Sequence, residues 1–281
     1  MKLELDEGLI ADRSAPGPDL YFRSTLPSVE PKAALTILHG YADHSARYAH
    51  VMGALAEQGI ACVAIDMRGH GRAGGPRGAC GRFSEYLDDA AEGIRLTREC
   101  AKGTKCFLLG HSFGGLVAAS RALAGVRDLS GLVLSSPFFG VALEVPKIKV
   151  LAAKAASVVY PALSLPSGLS GKDCTHDAER ARAYDEDPLV FPNANARWFV
   201  ETVAAQERAL ESAKRLDVPL YMFIGTADKI VSVSAARRFY DATGSEDRTY
   251  EPKEGLYHEV LNEPSWKDSV DAIAKWILAR A

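Results

Sequence analysis

Short runs of apolar residues alternate with longer stretches in which apolar positions recur every three to four residues, from about residue 33 to 136 and again from about 218 to 281. The runs at 34–38 (ALTIL), 60–65 (IACVAI), 105–109 (KCFLL), 131–134 (GLVL) and 220–224 (LYMFI) are almost uninterrupted. Strands read this way when helices cover both faces of a parallel sheet. Helical spacing marks 47–58, 84–101, 114–124, 234–242 and 266–278. The pattern predicts an α/β chain with a mostly parallel central sheet and helices on both faces. Residues 2–10 and 20–24, separated by Pro16-Gly17-Pro18, predict an antiparallel hairpin at the sheet edge.

The alternation stops between about 138 and 215, where no strand-like run occurs and Ala, Leu, Lys and Pro dominate. The predicted division is therefore a core built from 1–137 and 216–281, with an insertion at 138–215. Inside the insertion, Ile148, Leu151, Ala155 and Val158 or Val159 recur at helical spacing, with Lys147 and Lys154 on another face. Such an amphipathic face either packs on the main domain or stays partly exposed and meets lipid.

Composition removes several function classes. With 33 Lys and Arg against 36 Asp and Glu, the net charge is −3. There is no basic surplus to attract a phosphate backbone, so nucleic acid is not a predicted partner. The cysteines, Cys62, Cys80, Cys100, Cys106 and Cys174, form an odd set without a CxxC pair, which fits a reducing cytoplasm. Glu4, Asp6 and Glu7 give the N-terminal stretch the wrong pattern for a signal peptide. The longest uncharged apolar stretch, 155–171, is broken by Pro161 and Pro166 and is too short to span a bilayer. The expectation is a soluble, cytoplasmic chain that touches a membrane surface, if at all, peripherally.

Candidate chemistry centres on Gly110-His111-Ser112-Phe113-Gly114, a G-x-S-x-G pentapeptide between a predicted strand and a predicted helix. A serine on such a strained turn needs neighbours without Cβ, because strand and helix backbones converge there. Its hydroxyl is a poor nucleophile unless a base takes its proton and a carboxylate holds that base. The chain order on this type of turn is Ser, acid, His. Asp228 follows the 220–224 strand and His258 follows a short strand-like segment at 248–251, so the order is met. Asp66 precedes the serine and misses the order, whereas Glu144 remains a rival acid. The oxyanion hole is assigned to the N–H groups of Phe113, just after the serine, and Tyr41, in the loop after 34–38.

Two other patterns lead elsewhere. His39, His44 and His50 match no short ligand spacing, so no metal is predicted. Residues 69–74 fit G-x-G-x-x-G after a strand, but Gly75, Pro76 and Gly78 occupy the place where the helix should begin. No cofactor is predicted.

Six segments in order, His39–Tyr48 (HGYADHSARY), Asp66–Gly71 (DMRGHG), Gly110–Gly115 (GHSFGG), Tyr184–Leu189 (YDEDPL), Gly225–Asp228 (GTAD) and the His258 loop, resemble the monoacylglycerol lipase and lysophospholipase-like branch of the α/β-hydrolases. The resemblance runs from about residue 33 to the C-terminus. It implies an α/β-hydrolase fold, a Ser112–Asp228–His258 triad, Tyr41 and Phe113 at the oxyanion positions, and an insertion forming a cap over an apolar acyl channel. It also places Arg47 and Tyr184 near the head-group end of a pocket for a small amphiphilic ester. Tyr41 stands where the family commonly has a small residue, which would narrow the pocket mouth, and Ala73 replaces a common serine. The implied activity is serine-dependent hydrolysis of monoacylglycerol or lysophospholipid esters through an acyl-enzyme. The alternatives are an esterase for small alkyl or aryl esters and a non-catalytic module that binds a ligand in the same pocket.

Overall fold

The computed structural model describes residues 4–10, 12–125, 129–142, 159–160 and 162–281. Among these, eight strands form one sheet. They are β1 (Glu4–Ile10), β2 (Leu20–Leu26), β3 (Ala33–Leu38), β4 (Ile60–Asp66), β5 (Cys106–His111), β6 (Leu129–Ser135) and, after two short strands treated below, β9 (Leu220–Gly225) and β10 (Arg248–Lys253). Their order is β1-β2-β4-β3-β5-β6-β9-β10. β2 runs antiparallel to both β1 and β4, so the predicted hairpin forms the sheet edge. From β4 through β10 every pairing is parallel. All six parallel strands therefore end on one edge, the edge where open α/β sheets bind ligands.

The apolar runs have a two-sided explanation. Phe107 and Leu109 on β5 pack with Val51 and Leu55 of helix α1 (Ala49–Glu57), and with Ile273 and Ile277 near the C-terminus. Leu108, between them, points the other way, toward Ile94 of α2 (Ser84–Cys100) and Leu116 of α3 (Phe113–Leu123). Strand residues alternate faces, so burial on both faces leaves no polar position in the run. The predicted helix at 47–58 is divided, with a 3-10 turn at Ser45–Tyr48 leading into α1.

The region between β6 and β9 contains β7 (Ser164–Pro166) and β8 (Asn193–Asn195), an antiparallel pair of three residues each. No strand-like run was expected there. The pair escapes a hydropathy reading because Asn-Ala-Asn carries no apolar signal. Also described are α4 (Gly171–Cys174), α5 (Ala178–Glu186) and α6 (Ala196–Ser212), the last two capped by Asp177 and Asn195. α7 (Val233–Ala242) and α8 (Trp266–Leu278) complete the chain. The predicted amphipathic helix lies outside the described residues apart from Val159, which is 85% exposed, and the rival acid Glu144 lies outside them too.

Candidate active site

β5, at the centre of the sheet, ends at His111, and α3 begins at Phe113, so Ser112 alone makes the turn between them. Its backbone sits at φ 53° and ψ −118°, a costly conformation for a residue with a Cβ. The turn is held by Ser112 N–H donating to Ser135 O (2.9 Å) and by Ser112 O accepting from Gly115, Leu116 and Phe138. A Cβ on Gly110 would collide with the carbonyl of Gly114, as the convergence of strand and helix predicts. A Cβ on Gly114 would instead strike the carbonyls of Leu38 and His39, so this glycine admits the end of β3. Ala42 and Ser136, also non-glycine residues at positive φ, flank the same edge.

Ser112 Oγ lies 2.9 Å from His258 Nε2, and His258 Nδ1 lies 2.7 Å from Asp228 Oδ2. The other Asp228 oxygen accepts from the N–H groups of Ile230 (2.8 Å) and Val231 (3.0 Å). Asp228 and His258 stand on the loops after β9 and β10, which meet because Gly225 has no Cβ to strike the carbonyls of Leu256 and Tyr257. Ala227 N–H bonds Leu256 O (3.1 Å) across the same seam. Glu263 fixes the His258 loop by accepting from Tyr257 N–H at 2.7 Å.

Burial disfavours charge on both His258 and Asp228, but each is the other's counter-charge and the pairing outweighs burial. The imidazole is raised above 6.5 and the carboxyl is lowered below its ordinary range. His111, with ring centroid 4.8 Å from that of His258, has no such partner. Burial, reinforced by His258, brings it down to about 4. His111 is therefore neutral and accepts or donates only locally, to Ser135 Oγ at 3.1 Å.

Phe113 N–H is the first donor of α3 and has no intrahelical acceptor. In the β3 loop, Asp43 takes the N–H groups of Gly40 (3.4 Å) and His44 (2.7 Å) on either side of Tyr41. Tyr41 is among the residues that line the cavity described below, and its hydroxyl is bonded at the junction with β8.

Arg47 and Tyr184 are brought together, with the guanidinium 4.8 Å from the ring centroid, yet they face different surroundings. Arg47 makes a bidentate pair with Glu259 (2.8 and 2.6 Å) and a third bond to Asp43 (3.0 Å). Burial works against all three charges, but mutual attraction keeps both carboxyls low and the guanidinium protonated. Tyr184 lines the cavity, whereas Arg47 stands behind its wall with its donors committed to carboxylates. Sequence reasoning missed the role of Glu259, next to His258, and of Trp198, because both are defined by partners far away in the chain.

Ser112 and His258 open into a cavity of about 620 Å³, walled by Phe138, Val141, Leu169, Trp198, Phe199 and Ile230 among others. That size suits a small organic ligand. His39, His44 and His50 are engaged in local hydrogen bonds. His39 accepts from Met67 N–H (3.0 Å), His44 bonds Asp187 (2.9 Å) and His50 bonds Leu261 O (2.9 Å). The 69–74 glycines form a closed turn, Gly69 N–H bonding Gly74 O (2.9 Å), and Asp66 is occupied by the N–H groups of Ser45 and Arg72.

A serine facing a carboxylate-held imidazole, at the carboxyl edge of a mostly parallel sheet, defines a serine hydrolase of the α/β-hydrolase fold. The chain belongs to the Hydrolase_4 family (serine aminopeptidase, S33), whose model matches residues 29–265. A monoacylglycerol lipase of Mycolicibacterium smegmatis is 29% identical over 90% of this chain and 90% of its own length. The phospholipase YtpA of Bacillus subtilis is 32% identical over 85% of this chain and 92% of its own. An uncharacterized abhydrolase domain-containing protein of Dictyostelium discoideum is 32% identical over 93% of this chain, which spans 28% of that longer protein. Among solved structures, the monoacylglycerol lipase of Paleococcus ferrophilus superposes with a TM-score of 0.83 at 28% identity, covering 100% of both chains.

Proposed function

We propose that the chain hydrolyses carboxylic esters of monoacyl amphiphiles, monoacylglycerols or lysophospholipids, through an acyl-enzyme on Ser112. The observation that carries this reading is the Ser112–His258–Asp228 relay, with links of 2.9 and 2.7 Å, opening into a largely apolar cavity. His258 Nε2 takes the Ser112 proton as Oγ attacks the ester carbonyl, then delivers it to the departing alcohol. Water enters by the reverse route and releases the fatty acid. Asp228 stays ionised and holds the imidazolium. The N–H groups of Tyr41 and Phe113 receive the oxygen that becomes negative.

In this reading, 138–215 is a cap on a core made of 1–137 and 216–281, and its Trp198, Phe199 and Leu169 furnish the acyl wall. Tyr184 borders the head group, and Arg47 acts indirectly through Glu259. The cap also meets the lipid surface, a reading supported by Val159, Tyr160 and Leu165, which are 85%, 61% and 59% exposed, Leu165 standing next to cavity-lining Pro166. No helix among the described residues is long and apolar enough to cross a membrane. Free thiols at all five cysteines fit the cytoplasm.

The test is hydrolysis of monoacylglycerol, lysophosphatidylcholine and a p-nitrophenyl ester series by wild type and Ser112→Ala. Wild type is expected to prefer acyl groups of eight carbons or more, and the variant to be inactive. A preference for two to four carbons would instead establish a small-ester esterase. Unchanged hydrolysis by Ser112→Ala would remove the nucleophile assignment, and failure of Ser112 to react with a fluorophosphonate would favour a binding module.

A further inference from the structure

Tyr41 carries one of the amides assigned to the oxyanion hole, and its side chain is bonded to the segment that roofs the cavity. The phenol hydroxyl donates to Gly78 O (3.0 Å) and accepts from Asn195 N–H (3.2 Å), the last residue of β8. Gly78 makes the seat, since a Cβ there would collide with the Tyr41 hydroxyl. Asn195 in turn caps α6, taking the N–H groups of Arg197 (3.0 Å) and Trp198 (3.1 Å). The Tyr41 ring stacks on Trp198 with centroids 3.6 Å apart, and Trp198 also meets the Phe113 ring at 5.3 Å. One cap tryptophan therefore packs on both residues whose amides would bind the oxyanion.

We propose that Tyr41 is a positioning residue that couples the seating of β8 and the first turn of α6 to the oxyanion hole, so the two amides are in register only while that segment is docked. The inference rests on the hydrolase reading above. A displaced α6 would withdraw Trp198 from Tyr41 and Phe113 together. The hole would then loosen at the same moment as the acyl wall opens. Burial keeps the phenol protonated well beyond its ordinary pKa, so the hydroxyl can donate to Gly78 O throughout the working pH range.

Tyr41→Phe isolates this effect, because it keeps the amide and the ring and removes only the hydroxyl. With active sites counted by fluorophosphonate titration, kcat is expected to fall about tenfold, the scale of one or two net hydrogen bonds. The fall should be equal for p-nitrophenyl butyrate and decanoate, with KM changed less than twofold. Affinity for a trifluoromethyl ketone, which places an oxyanion in the hole, should fall by the same factor. Trp198→Phe, which keeps a ring against Tyr41, should lie between wild type and Tyr41→Phe. Unchanged kcat per titrated site, or a loss seen only in KM for decanoate, would overturn the coupling while leaving the hydrolase reading intact. A wild-type protein that neither reacts with fluorophosphonate nor hydrolyses either ester would overturn both.

Discussion

Asp228 has a task on each oxygen: one holds His258 at 2.7 Å and the other is anchored by two backbone amides. In the proposed mechanism the imidazole must be neutral to accept the Ser112 proton, so its raised pKa is expected to set the acid limb of kcat/KM above 6.5. Asp228→Asn removes the charge that opposes burial. Its acid limb is expected to move below 6.5, toward the low value already held by the unpaired His111, while turnover falls by about 10⁴. A pH–rate profile checks both, and an acid limb that stays in place would show that another group governs it.

Arg47 gives a residue-scale prediction of the opposite kind, in stability. Its two carboxylate partners have folded pKa values below their unfolded ones, so their contribution is complete above the unfolded carboxylate range and is lost as pH falls through the folded values. Arg47→Met leaves Asp43 and Glu259 buried and facing each other, at a cost of about 3–5 kcal/mol at pH 7. That deficit should shrink as pH is lowered and the carboxylates protonate. Urea unfolding of both proteins at pH 7 and pH 4.5 measures it, and a pH-independent difference would contradict the ion-pair account.

At the scale of elements, the sheet was legible because burial on both faces writes itself into sequence as an unbroken apolar run. The turn at Ser112 was legible because convergent backbones demand glycine at Gly110 and Gly114. β7 and β8 were not, since Pro166, Asn193 and Asn195 are placed by partners in distant segments rather than by local periodicity. The same limit hid Glu259, whose neighbour His258 was identified but whose own partner, Arg47, sits in the 3-10 turn ahead of α1. Gly225 belongs to this scale as well. Gly225→Ala would push the Asp228 and His258 loops apart, and it is expected to destabilise by about 1–3 kcal/mol through overpacking. Activity should fall further than the folded fraction does, because the His258–Asp228 bond spans the seam being opened. Thermal melts combined with fluorophosphonate titration separate the two effects, and activity that merely tracks the folded fraction would reject this role.

The whole molecule carries a net charge of −3 and exposed apolar side chains at Val159, Tyr160 and Leu165, the last next to cavity-lining Pro166. An acidic protein gains nothing electrostatically from an anionic bilayer. The proposed contact with lipid would then come from buried apolar area, which is insensitive to salt. Binding to phosphatidylcholine vesicles should therefore equal or exceed binding to vesicles containing phosphatidylserine, and should vary little between 50 and 500 mM NaCl. Tyr160→Asp with Leu165→Asp replaces two of the exposed apolar side chains with charges that the bilayer interior rejects. That double variant should lose vesicle binding and hydrolysis of vesicle-borne monoacylglycerol, while hydrolysis of dissolved p-nitrophenyl butyrate stays within twofold of wild type. Equal loss on both substrates would mean that these side chains shape the cavity instead, and strengthened binding to anionic vesicles at low salt would place the contact on a basic surface elsewhere.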